Sequence, residues 1–262
     1  MINAFRAEWV RLLRWRTLLA VGVPLALFPA VITVLTFAAA TGDPAAGPGQ
    51  HLSVTVAEIA APDGYLAGID PAATVIGVVV MVFFAVSIGA DYEHGTLRNL
   101  LVRGPRRTRL LTGRLLALLA FTAVALILSV IATVAAAWLA ARGYDVSTGA
   151  WTRVFTESAA SWVALVVAAI GWGAFGAVLG TVLRSVAAAV AAGAVWVLPV
   201  EASLSAVWDG SARWLPGAVF DAAAGQGSDA LSVTLAVGLV LVYTAIAYIG
   251  AVWLLNTRDV LA

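Results

Sequence analysis

The chain has no lysine, no cysteine and only two histidines, and just 11% of its 262 residues are charged. Without lysine there is no P-loop lysine for a nucleotide phosphate, no Schiff-base lysine and no Ser–Lys dyad. Without cysteine there is no disulfide, thiol nucleophile or zinc–thiolate centre. His51 and His94 stand far apart and form no His-rich metal cluster on their own. The scarcity of charge excludes an ordinary soluble globule, which carries about 25% charged and 45–50% apolar residues. This chain is 62% hydrophobic, with a mean hydropathy of +0.99. It reads as an all-α integral membrane protein. A helical span needs about 20 apolar residues, so six fit with room for loops.

Residues 1–17 precede the first apolar run. On a helical wheel Ile2, Phe5, Trp9, Leu12 and Leu13 share a face, while Arg6, Arg11 and Arg14 point elsewhere. That pattern predicts an amphipathic helix lying in the membrane interface, with its arginines among anionic headgroups. The run 18–40 exceeds the length of a signal-peptide core and is taken as span one. Further spans are expected at 72–89, 115–141, 159–183, 185–200 and 230–255. Span five is short and ends at Pro199-Val200-Glu201, so 201–229 is expected to be a broken, re-entrant or external segment. Irregular backbone at that depth needs burial in protein or a cavity to line. Residues 41–71 form an outer loop with a short helix expected around 53–60.

Arginine counting orients the chain. The N-terminal stretch, the loop between spans two and three, Arg184 and Arg258 place twelve of the fifteen arginines on one side; Arg142, Arg153 and Arg213 lie on the other. Both termini are therefore expected in the cytoplasm.

The most informative segment is Asp91-Tyr92-Glu93-His94-Gly95-Thr96-Leu97-Arg98-Asn99-Leu100-Leu101, followed by Gly104-Pro105 and a basic cluster. Acids ahead of a leucine face, with Gly-Pro behind it, predict a short helix within 91–109. Leu97, Leu100 and Leu101 need an apolar partner, which from these residues alone is either lipid or another protein. Arg106, Arg107 and Arg109, with Arg6, Arg11 and Arg14, are candidate anionic-lipid contacts.

That motif, closing with Gly113-Arg114-Leu115-Leu116 before span three, resembles the type-2 permeases of ATP-binding-cassette (ABC) transporters. The resemblance extends to the N-terminal helix, the six spans, the broken fifth span and Asn256-Thr257-Arg258-Asp259. It implies that the loop is a coupling helix docking on a separate ATPase subunit, with Tyr92, Glu93, Gly95, Thr96, Leu97, Arg98 and Leu101 in contact. ATP and Mg would then belong to two partner ATPase subunits, with no cofactor in this chain. Six spans imply a second copy or a related permease beside it, in a bacterial inner membrane. Exporter-type permeases are the nearer likeness, and short outer loops fit an amphiphilic cargo: a drug, an antibiotic peptide or a lipid-linked molecule. Arg114 departs from the family pattern, where lysine is more usual; in a lysine-free chain it is taken as compositional drift.

Within the membrane, Phe83, Phe84, Trp196 and Glu201 are candidates for lining a translocation path. Aromatics in spans also serve packing, and Glu201, like Glu157, also suits a helix cap near the outer interface. Gly176 and Gly180 have the small-xxx-small spacing that lets helices approach closely. A secondary transporter would need buried charges or an inverted repeat, and an intramembrane enzyme a Gly-x-Ser-x-Gly, His-Glu-x-x-His or paired-aspartate motif; none is evident. A non-transporting assembly or sensor subunit stays compatible with the sequence. Nothing suggests nucleic-acid binding.

Overall fold

The computed structural model describes residues 2–42, 54–94, 107–208, 210–225 and 231–257, and these form helices and turns with no strand among them. The helices are α1 (Ile2–Leu12), α2 (Trp15–Thr41), α3 (Val56–Ile59), α4 (Ile69–Glu93), α5 (Arg107–Gly143), α6 (Val154–Leu183), α7 (Val186–Val207), α8 (Pro216–Ala223) and α9 (Val233–Thr257). Six of them, α2, α4, α5, α6, α7 and α9, are long and apolar enough to cross a bilayer.

Helix α4 is the centre of the molecule. Two thirds of its most apolar window is buried, against 17% for α2, α7 and α9, which therefore lie at the periphery. The tightest pairing is α4 on α6. Glycine permits it: a Cβ at Gly176 would fall on the Met81 carbonyl, one at Gly180 would lie 2.8 Å from the Ala85 oxygen, and one at Gly173 would press on the Phe84 ring. Gly176 and Gly180 thus serve the close packing that their spacing suggests. Trp172 fills the same seam, 1% exposed and edge-on to Phe220 at 5.2 Å.

The helix ends differ from expectation in ways that backbone chemistry explains. The amphipathic helix stops at Leu12, because Arg14 is extended (φ −66°, ψ 140°) and breaks it from span one. Span one then starts at Trp15. Helix α5 has 37 residues, about 55 Å at 1.5 Å per residue, well over the ~30 Å hydrocarbon layer. Proline does not break span five. Pro199 sits in a π-helical turn, Trp196–Glu201, and the helix continues to Val207. A proline lacks its N–H and crowds the carbonyl four residues back, and a π-turn relieves both without ending the helix. A second π-turn, Leu18–Gly22, precedes Pro24 in α2.

A second, smaller core lies apart from the main one. Phe37, Ile59, Tyr65 and Trp151 pack together, and the Tyr65 hydroxyl donates to the Arg153 carbonyl at 3.3 Å. Helix α3 is a single turn closed by a reciprocal capping box: the Thr55 N–H donates to Glu58 Oε2 at 2.7 Å, and the Glu58 N–H to Thr55 Oγ1 at 3.3 Å. After α7 the chain turns at Gly210 (φ +87°) and returns as α8, which is buried against α6 and α9.

Candidate functional site

Four charges meet where α1, α4 and α5 converge. Glu8 of α1, Asp91 of α4 and Arg114 of α5 are each under 9% exposed. Arg114 reaches both carboxylates: Nη1 pairs with Asp91 Oδ2, and Nε lies 3.5 Å from Glu8 Oε2. Its Nη2 also donates to the Ser87 carbonyl at 2.7 Å. Arg11 closes the set, with Nη2 2.9 Å from Glu8 Oε1 and Nη1 3.5 Å from Asp91 Oδ1. Two acids match two guanidiniums, which is the condition under which buried charge is tolerated. The planar fork of arginine meets these partners on two helices from three separate nitrogens, where lysine would have one. That gives Arg114 a structural role, which the reading as compositional drift does not supply.

This network pins the N-terminal helix to the two residues flanking the central loop. The apolar face of α1 follows: Leu12 is buried, and Phe5 stacks on Trp9 at 5.8 Å, both packed against the main core. Glu8 had no sequence-based assignment. An acid on an amphipathic helix reads as solvated, although its place between Phe5 and Leu12 puts it on the apolar side.

The last turn of α4 holds span five as well. The Val186 N–H, at the start of α7, donates to Glu93 Oε1 at 2.7 Å. The Arg184 guanidinium lies over the Tyr92 ring, 5.6 Å from its centroid. Arg184 itself is left-handed (φ +53°), a conformation costing about 1–2 kcal/mol outside glycine, and it lets α6 pass into α7 through a two-residue turn. A Cβ at Gly89 would stand 3.3 Å from the Val186 Cα, so a larger residue would push the two helices apart. Asp91 and Glu93 thus end α4, where the sequence pattern places them ahead of a new helix. Their partners lie on α1, α5 and α7, so they belong to the span-two helix.

The remaining predicted loop residues, Gly95, Thr96, Leu97, Arg98, Leu101 and Arg106, lie outside the described residues, and of Arg107 only the backbone is described. His94 donates its Nδ1–H to the Ala90 carbonyl at 2.7 Å. Arg6, Arg14 and Arg109 are exposed, as lipid contacts need to be, whereas Arg11 is engaged with Glu8 and Asp91.

Phe83 and Phe84 are buried inside the helix bundle, edge-on to one another at 5.9 Å, with Phe83 against Phe121 at 5.5 Å. Trp196 is half-buried beside Phe175 at 6.3 Å. Glu201 is 8% exposed, and Oε1 accepts the Ala218 N–H at 2.9 Å. It satisfies one of the unpaired donors at the start of α8, which is the capping role weighed for it from sequence. A Cβ at Gly217 would sit 2.7 Å from that carboxylate, so glycine is what admits the cap. Asp221, on the same short helix, accepts from Thr74 Oγ1 of α4 at 2.7 Å. An acid inside the apolar stretch 216–224 is a signal that sequence reasoning passed over. Among the described residues no group of three metal-ligating side chains occurs.

The family model of the ABC-2 family transporter proteins matches residues 2–208, most of the chain. No curated protein matches it.

Proposed function

The chain belongs to the ABC-2 transporter family, and from that premise we propose that it is the membrane half of an ATP-driven exporter for an amphiphilic cargo. As a multi-pass ABC permease it is a transmembrane transporter subunit and not itself an ATPase, and its family pairs with ABC ATPases. In the proposed complex two ATPase subunits flank two permease chains, either two copies or a copy and a relative. ATP-driven closure of the ATPases presses on loop 95–106, and Leu97 and Leu101 seat in their surface.

The observation that best supports this reading is the set of attachments at the loop's flanks. Through Asp91 and Arg114 the loop ends are tied to α1, and through Glu93 and Tyr92 to the start of α7. A displacement of the loop is then delivered to the interfacial helix and to span five together. Span five is peripheral and carries a π-turn, so it is a helix that can shift without unpacking the α4–α6 core.

The test is co-purification of the ATPase with Leu97→Asp/Leu101→Asp. Two charges on a face that must be buried cost several kcal/mol, and the ATPase is expected to dissociate while the permease stays folded. Glu93→Ala is expected to keep the complex and to lower cargo-stimulated ATP turnover, because it frees the α7 N-terminus without touching the docking face. An ATPase that stays bound to the double aspartate variant overturns the coupling assignment. So does a double variant that loses the ATPase only in anionic lipid, which marks a lipid-held surface helix.

A further inference from the structure

A cleft of about 460 Å³ opens on the side of the molecule that carries the N-terminal helix, between α1, α2 and α4. Its walls change character along their length. At one end are Arg11, Arg16, Asp91 and His94; at the other are Ala20, Val21, Phe83 and Val86. The polar end lies level with α1 and the apolar end runs down along α2 and α4, so the gradient follows the membrane normal.

The charge in the cleft is unevenly matched. Asp91 and Arg11 belong to the four-charge network, where Glu8 and Arg114 complete the balance. Arg16 lies outside it. Its side chain is exposed and rests over the Trp15 ring, 5.5 Å from the centroid, with no acid paired to it among the described residues. His94 has its Nδ1–H on the Ala90 carbonyl; in that tautomer Nε2 carries an acceptor lone pair, so His94 borders the polar end without offering a donor to an anion. The polar end therefore offers the surplus cation Arg16 to something negative, directly above an apolar trough.

We propose that this cleft binds one anionic phospholipid from the leaflet on the chain's N-terminal side, with its phosphate on Arg16 and an acyl chain laid on Ala20, Val86 and Phe83. A zwitterionic lipid satisfies the trough but adds no net charge to answer Arg16. A soluble phosphate satisfies Arg16 but leaves the trough empty. Only a molecule with both parts uses the whole cleft. The site is independent of ATPase docking, since none of these residues lies within loop 95–106.

The experiment is native mass spectrometry of the delipidated full chain, titrated with phosphatidylglycerol or phosphatidylcholine. Phosphatidylglycerol is expected to be retained at least tenfold more tightly. Arg16→Gln should weaken that retention at least fivefold. Arg142→Gln makes the same charge change at the exposed far end of α5, outside the cleft, and should leave it within twofold. Val86→Trp fills the trough without altering charge and should weaken both lipids. Thermal unfolding without lipid checks each variant's fold, and Ala20→Trp replaces Val86→Trp if the latter is unstable. Equal loss from Arg142→Gln and Arg16→Gln means diffuse attraction to headgroups and overturns the site. Undiminished binding in the trough variant, or equal affinity for the two lipids, overturns it too.

Discussion

Arg114 shows how much one side chain can hold together. Its guanidinium serves Glu8, Asp91 and the Ser87 carbonyl, which come from two other helices. Lysine keeps the charge but brings a single nitrogen with no fixed fork. Arg114→Lys is therefore expected to cost about 1.5–3 kcal/mol, the range for a lost charged hydrogen bond. Arg114→Gln leaves two buried carboxylates with only Arg11 to answer them and should cost about 3–5 kcal/mol. Thermal unfolding in detergent measures both, and equal midpoints for parent and Lys variant would show that the fork is dispensable. The residues of this network are half legible in sequence. Arg114 and Asp91 flank a recognisable loop, but Glu8 sits 106 positions from Arg114, and no local pattern announces a pairing of that range. Glu201 is the opposite case. Its sequence setting suits a helix cap as well as a place on the path, and the carboxylate is found on the α8 N-terminus.

At the level of helices, what stands out is the contrast between a tight centre and loose edges. Gly176 meets the Met81 carbonyl of α4, a backbone atom that cannot rotate away. Gly176→Val is expected to wedge α4 from α6 and cost at least the 1–3 kcal/mol typical of overpacking, seen as loss of a monodisperse folded species. Gly238 on α9 has open space where a Cβ would go, so Gly238→Ala is expected to be neutral or to stabilise by about 0.5–1 kcal/mol through helix propensity. Similar behaviour of the two variants would refute the assignment of the α4–α6 seam as the packed centre. Spans are readable in sequence because a run of about 20 apolar residues has few uses other than crossing a bilayer. Their ends are less so. A helix continues while its backbone bonds are made and its polar residues find partners, which is why α4 runs on through Asp91 and Glu93. Proline misleads for a related reason: in span five a π-turn carries the helix past it.

For the whole molecule, the arginine distribution predicts the orientation, and the convergence of α1, α4 and α5 puts the N-terminus and the loop after α4 on the same side. Tags at residue 1, near Gly104 and at residue 262 are expected to resist external protease in intact cells, while a tag near Gly47 is cut. Cleavage near Gly104 from outside would invert the arrangement. The four-charge network adds a consequence for how the N-terminal helix responds to salt. Exposed arginines such as Arg6, Arg14 and Arg109 attract anionic surfaces over a distance set by the Debye length, about 10 Å at 0.1 M and 3 Å at 1 M. Glu8, Asp91 and Arg114 are buried and in contact, so mobile ions scarcely reach them. Raising ionic strength is therefore expected to weaken the pull of those arginines on anionic headgroups but to leave the anchorage of α1 to the spans intact. In a molar-salt wash α1 should stay docked on its own protein.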